Sequence, residues 1–170
     1  SAASGDNPGT QNQLGFYFVR NGSTPGSAEY SLNPTGIIGD PSWGTNDVRK
    51  TNLIFTNVSN SKKFVYKYQL PSPFLDYAPV IRYSEVLLNL AEALARTNAT
   101  VDARALALVN FVRQRSDASV TITAANQAAL INAIMLERRI EFLGEGLRNN
   151  DLMRLLQTIP AKGSVPAKAP

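Results

Sequence analysis

Three glutamates spaced four residues apart, Glu137, Glu141 and Glu145, are the side chains of this sequence that most invite a chemical reading. Two carboxyl groups flanking a glycosidic bond can act as general acid and base of a glycosidase. These three instead lie on one helical face within ERRIEFLGEGLRNNDLMR, Glu137 to Arg154, with arginines on every side. Positive neighbours hold a carboxyl ionised and disarm it as a general acid. Helical spacing points the same way. Leu130 and Ile134 run on into Glu137 and Glu141, beside a second stripe of Ala129, Ala133, Leu136, Ile140 and Leu143. Carboxylates that extend a core stripe lose water and need partners. Arg138, Arg139, Arg148 and Arg154 are the nearby donors, with planar forks that match a carboxylate. The expectation is a structural charge network of Glu137, Arg138, Arg139, Glu141, Glu145, Arg148 and Asp151 locking a corner between two helices. Gly144 and Gly146 break the first helix, and Asn149 or Asn150 with Asp151 caps the second.

Missing residue types exclude other chemistries. The 170 residues include no histidine and no cysteine. That rules out a Ser–His–Asp triad, a thiol nucleophile, a disulfide, and imidazole or thiolate metal sites. Calcium takes oxygen ligands, but no EF-hand-like run is present. No cofactor and no metal are expected. A net charge of +4 from scattered lysines and arginines does not describe a nucleic-acid surface. There is no run of about 18 apolar residues, the length a spanning helix needs, and no apolar segment behind basic residues at the N-terminus.

Aromatic side chains in the turn-rich region offer a different chemistry. A sugar ring presents a face of C–H groups that stacks on flat aromatic rings, and its hydroxyls take planar polar partners. Trp43, the one tryptophan, sits in GDPSWGTND. Tyr17, Tyr30 and Phe16 lie nearby in sequence, with Asn21, Asn46, Asp47 and Arg49 as polar partners. The candidate glycan-binding residues are therefore Trp43, Tyr17, Tyr30, Asn46 and Arg49, with Phe16 assigned to the core. The same setting equally suits Trp43 as a plug that fixes its loop to the core. Tyr66, Tyr68, Phe74 and Tyr77 are expected to pack a loop onto the helices.

These residues need elements to hold them. Residues 1–78 form a loop-rich segment, punctuated by NGSTPG, NPTG and GDPSWG turns. Short strands are predicted at LGFYFV (Leu14–Val19), LIFTNV (Leu53–Val58) and KFVYKY (Lys63–Tyr68). From Pro79, placed in the first turn of a helix, residues 79–159 read as helical. Tyr83, Leu87, Leu90 and Leu94 make one covered stripe of that helix. Ser84, Leu88, Ala91 and Ala95 make another of mostly small residues, and Arg82, Glu85, Asn89, Glu92 and Arg96 make a wet face. The turn RTNAT forces the next helix antiparallel, burying Val101, Ala105, Leu108, Val109 and Val112. Thr123 caps a third helix reaching about Leu143. Residues 160–170 are an extended tail. The fold class is mostly α: a tetratricopeptide-like antiparallel helix array with a loop-rich N-terminal third containing a few short strands.

Four segments, in order, resemble landmarks of the SusD/RagB family of nutrient-binding lipoproteins. They are NDVRK at Asn46–Lys50, IRYSEVLLNLAEA at Ile81–Ala93, the segment Ala103–Ser116 ending VRQRS, and ERRIEFLGEGLRNNDLMR. In the last, Glu137, Arg138, Arg139, Glu141, Glu145, Gly146, Arg148, Asp151, Leu152 and Arg154 match the family pattern. The resemblance spans roughly Asp47 to Ile159, so the chain reads as the latter part of a longer protein. It implies non-catalytic binding of an oligosaccharide or polysaccharide at the outward face of the bacterial outer membrane. It also implies delivery to a TonB-dependent β-barrel transporter, and membrane attachment only through an N-terminal lipid anchor outside this chain. In starch-binding members, aromatics from this part of the chain join an arc of stacking residues, a role that falls to Trp43 by rough position. The rival expectation is a helical scaffold whose ligand is another protein and not a glycan.

Overall fold

The structure, a computed structural model, describes residues 15, 18, 30–70, 76–161 and 165–169. A 3-10 turn at Ile37–Gly39 precedes a short helix α1 (Val48–Asn52) and two strands, β1 (Ile54–Thr56) and β2 (Lys63–Val65). Four helices follow: α2 (Tyr83–Thr97), α3 (Ala103–Gln114), α4 (Gln127–Glu141) and α5 (Leu147–Arg154). The protein is mostly helical. The strands pair antiparallel, with Ile54 opposite Val65 and Thr56 opposite Lys63, inside two of the segments predicted as strands. The third, Leu14–Val19, lies outside the described residues apart from Gly15 and Phe18.

Small residues decide how the helices pack. Ser84, Leu88, Ala91 and Ala95 of α2 are buried, facing Ala105, Val109 and Val112 of α3 and Leu130 and Ile134 of α4. Alanine has no side-chain atom beyond Cβ to hold the backbones apart, so α2 contacts both α3 and α4. Each buried leucine or isoleucine in this seam contributes about 1.5–3 kcal/mol. Val101 and Leu108 only flank the cluster. The Tyr83–Leu87–Leu90–Leu94 stripe is not covered as expected: Tyr83 is 73% exposed and Leu90 lies at the surface. Leu87 and Leu94 are partly buried against the edge of the core cluster, so the stripe is only half covered.

Three helix starts depart from expectation, those of α2, α4 and α5. α2 begins at Tyr83, because Arg82 is extended (φ −120°, ψ 151°) and Val80 and Ile81 are β-branched. Asn126, not Thr123, caps α4, its side chain accepting from the Ala129 N–H at 2.9 Å. Asp102 caps α3 in the same way. Gly146, in the left-handed region at φ 83°, opens α5, which places Asn149, Asn150 and Asp151 inside the helix.

A second cluster joins the loop segment to the helices. Ile37 and Trp43 pack on Ile140, with Ile38, Ile54, Leu136 and Leu143 around them. In α4 the stripe ending in glutamates is the deeper one: Leu130, Ile134 and Glu137 are fully buried and Glu141 nearly so. Ala129, Ala133, Leu136 and Leu143 are only partly buried, and Ile140 alone of that stripe is fully so.

Candidate functional site

Two ionic clusters organise the helical corner. In the larger, Arg49 Nη1 donates to Glu137 at 2.6 Å and to Glu141 at 2.8 Å. Its Nη2 donates to Asp47 at 2.6 Å, and Asp47 also caps α1 through the Arg49 N–H. Arg113 Nε lies 2.6 Å from the other Glu137 oxygen, an ion pair outside hydrogen-bond alignment. Arg115 Nη2 donates to both oxygens of Glu141 at 2.8 Å. Arg82 bridges Glu141 and Glu145, and Lys67 donates to Glu145 and to the Glu141 carbonyl. In the smaller cluster Arg138 reaches Asp151, and Arg154 joins Asp151 to Glu92. Arg82 and Arg138 each approach the Phe142 ring, at 5.3 and 5.4 Å.

These partners differ from the nearby ones that sequence proximity suggested. Arg138 follows Glu137 by one residue, about 100° around the helix, so it faces Asp151 rather than Glu137. Arg139 and Arg148 enter no ion pair among the described residues; burial first, then the Arg139 charge, lowers the Arg148 pKa. Glu92, assigned to the wet face of α2, is buried at 5% exposure by Arg154 and Arg96. The residues that neutralise Glu137 and Glu141 come instead from the loop segment, the start of α2 and the end of α3. Arg82, Arg113, Arg115 and Lys67 join the network without having been expected in it. A signal did exist, since the NDVRK, IRY, VRQRS and ERR segments each supply charges to this one network.

Electrostatics fix Glu141 as an anion. Burial alone would raise the Glu141 carboxyl, but hydrogen bonds and charge from Arg115 and then Arg82 outweigh it and hold the pKa at about 2. Asp47 behaves alike: burial opposes ionisation and Arg49 prevails, lowering its pKa. Burial lowers the Lys67 pKa despite Glu145. Among the described residues no group of three or more acidic, histidine or cysteine side chains is placed to hold a metal ion. No described helix is long and apolar enough to cross a membrane.

Of the stacking residues expected from sequence, the two that are described differ: Trp43 is buried and Tyr30 is exposed. Trp43 is 1% exposed, wedged against Ile37 and Ile140 with Lys50 over its ring at 5.3 Å. This corrects its assignment as a ligand-stacking residue: the fold encloses the ring, and Trp43 is the core plug. Arg49 is likewise corrected, because its donors are taken up by three buried carboxylates. Asn46 is exposed and Tyr30 is 55% exposed, the latter tilted on Phe18 at 6.1 Å. Tyr17, Phe16 and Asn21 lie outside the described residues, as does Phe74.

Concave surface lies elsewhere. A cleft of about 360 Å³ opens over the larger ionic cluster, between the segment leaving β2, the entry to α2 and the end of α3. Tyr66, Gln69, Tyr77, Pro79, Arg82 and Arg115 line it. Tyr68 is buried as expected, its hydroxyl donating to the Gly144 carbonyl at 3.2 Å. Tyr77, expected to pack, is 70% exposed. A second depression, about 480 Å³, lies over the smaller cluster and has no aromatic lining.

Comparison with known proteins supplies the context. Residues 74–164 match the sequence model of the SusD family. A SusD superfamily protein from Bacteroides fragilis is 28% identical, with TM-score 0.62 over 82% of this chain and 33% of its own. A SusD-like carbohydrate binding protein from Bacteroides vulgatus is 25% identical, with TM-score 0.67 over 86% of this chain and 32% of its own. Surface glycan-binding protein A from Bacteroides uniformis, at 24% identity and TM-score 0.58 over 78% of this chain and 31% of its own, shares the fold. No curated protein matches the sequence. The chain spans about a third of the length of these solved structures.

Proposed function

The chain belongs to the SusD family, and from that premise we propose that it takes part in non-catalytic glycan binding at the bacterial cell surface. The observation that carries this reading is the family match over residues 74–164, supported by likeness to the carbohydrate binding protein of B. vulgatus. The protein captures an oligosaccharide or polysaccharide at the outward face of the outer membrane, held there by a lipid anchor outside this chain. It passes the ligand to a TonB-dependent β-barrel transporter. The ionic corner supports a binding role over an enzymatic one, since Glu141 stays ionised down to a pH of about 2 and has no proton to give a leaving group.

Calorimetry of the chain against a panel of polysaccharides, with glycan-release assays alongside, tests the reading. Saturable binding without release of reducing ends is expected. Release of sugar by the chain would reject it. A second reading, a scaffold for a protein partner, draws on the exposed Tyr83 and Val86 of α2. It predicts no glycan binding at all.

A further inference from the structure

We infer that the cleft between Tyr66, Tyr77 and Arg115 is a saccharide subsite selective for a sugar ring bearing a carboxylate. The inference rests on the glycan reading above and adds both a location and a ligand class to it.

Shape and surface come first. Tyr77 is 70% exposed and lines a cleft of about 360 Å³ together with Pro79 and the half-buried Tyr66. An exposed phenol ring left uncovered at a concave surface costs hydration, and the C–H face of a pyranose is a matching cover. Tyr66 is steadied by Phe55, ring centroids 6.2 Å apart, so it is a prepared wall and not a loose side chain. The Gln69 side chain gives its amide N–H to the Tyr66 carbonyl, which leaves the amide oxygen for a sugar hydroxyl.

Charge then selects among sugars. At the base of the cleft the charges of Arg49 and Arg113 are met by Asp47 and Glu137. That leaves Lys67, Arg82 and Arg115 against Glu141 and Glu145, one positive charge in excess. Arg82 commits Nε, Nη1 and Nη2 to Glu141 and Glu145. Arg115 does not. Its side chain is 52% exposed, and among the described residues only Nη2 of its three nitrogens makes a hydrogen bond, to Glu141. The Glu141 bond anchors the guanidinium, while Nε and Nη1 donate to no acceptor among the described residues. A guanidinium with one edge fixed and another open is suited to a second carboxylate. A uronate ring stacked near Tyr77 supplies one, and a neutral sugar leaves that edge to water.

The test is calorimetry of the full chain with oligogalacturonate and with glucuronate-bearing xylan oligosaccharides, each beside its carboxyl-reduced form and a glutamate hexapeptide. Parent, Tyr77→Ala and Arg115→Gln are compared, with folding checked by circular dichroism. A uronate oligosaccharide is expected to bind about tenfold or more tightly than its reduced form. Arg115→Gln should erase that difference and leave the affinity for the reduced form within about twofold, while Tyr77→Ala weakens both about tenfold. Equal affinity for charged and reduced forms overturns the acid selectivity and leaves the glycan reading standing. Uronate binding untouched by Tyr77→Ala overturns the location. Hexapeptide binding as tight as the uronate overturns the ligand class. Binding of no saccharide defeats this inference and the glycan reading together. Should Arg115→Gln fail to fold, the charged-against-reduced comparison and Tyr77→Ala still decide.

Discussion

Arg49 and Glu137 meet at 2.6 Å across 88 positions of sequence, with Arg49 only 5% exposed and Glu137 fully buried. The contact ties the loop segment to α4, and Arg113 brings α3 to the same carboxylate. Such a pair adds little net stability relative to an apolar core, because both charges have lost their water. Removing one partner strands the other.

Glu137→Gln is therefore expected to destabilise the fold by about 3–5 kcal/mol. Urea unfolding measures it. A double-mutant cycle with Arg49→Met should then show strong coupling, the double variant being more stable than the two single losses summed. Additive losses would mean that the pair does not act as a unit.

Stability should fall as the solution is acidified. The Glu141 carboxyl is held below its unfolded value, at about 2 against 4.5. Its contribution is complete above the unfolded value and is lost as pH falls through the folded one. Between pH 4.5 and about 2 the loss from this group is on the order of 3 kcal/mol. Asp47 and Glu92 shift in the same direction and deepen it. Thermal melts across that window should drop steadily, and a flat profile would contradict the network.

Trp43→Ala should act on folding rather than selectively on ligand. Emptying a fully buried indole site costs about 3–5 kcal/mol, seen as a lower denaturation midpoint. A variant of unchanged stability that lost only glycan binding would restore Trp43 to the ligand surface.

Among the described residues, two left-handed glycines separate strain from crowding. Gly146 has φ 83° and nothing within 4 Å of an added Cβ, whereas Gly144, at φ 79°, would place one 2.9 Å from Val65 Cγ1. Gly146→Ala should cost about 1 kcal/mol from backbone conformation alone. Gly144→Ala should cost a further ~1–2 kcal/mol, partly recovered in a Val65→Ala background. Equal costs, read from urea midpoints, would show that Val65 does not constrain this turn.

Much of the architecture was legible because it follows from local spacing. The short apolar runs that mark β1 and β2, the small-residue stripe of α2 and the apolar run into Glu137 and Glu141 each depend on residues a few positions apart. The structural role of the glutamates follows from the same spacing, since a carboxylate on a core stripe must find cations wherever they lie. Absence of histidine and cysteine set firm chemical limits without any coordinates.

Partner choice was another matter. Helical phase turned Arg138 toward Asp151 and left Glu137 to arginines 88 and 24 positions upstream, brought close only by packing of α1 and α3 on α4. Burial of Trp43 and exposure of Tyr77 were equally beyond local sequence, because both residues sit in turn-rich segments of similar composition. What separates them is the apolar surface of Ile140 waiting beneath one and an ionic cleft beside the other. Sequence determined which side chains needed partners. The tertiary structure decided which ones they found, because hydrophobic spacing is a property of a helix and charge pairing is a property of the space between helices.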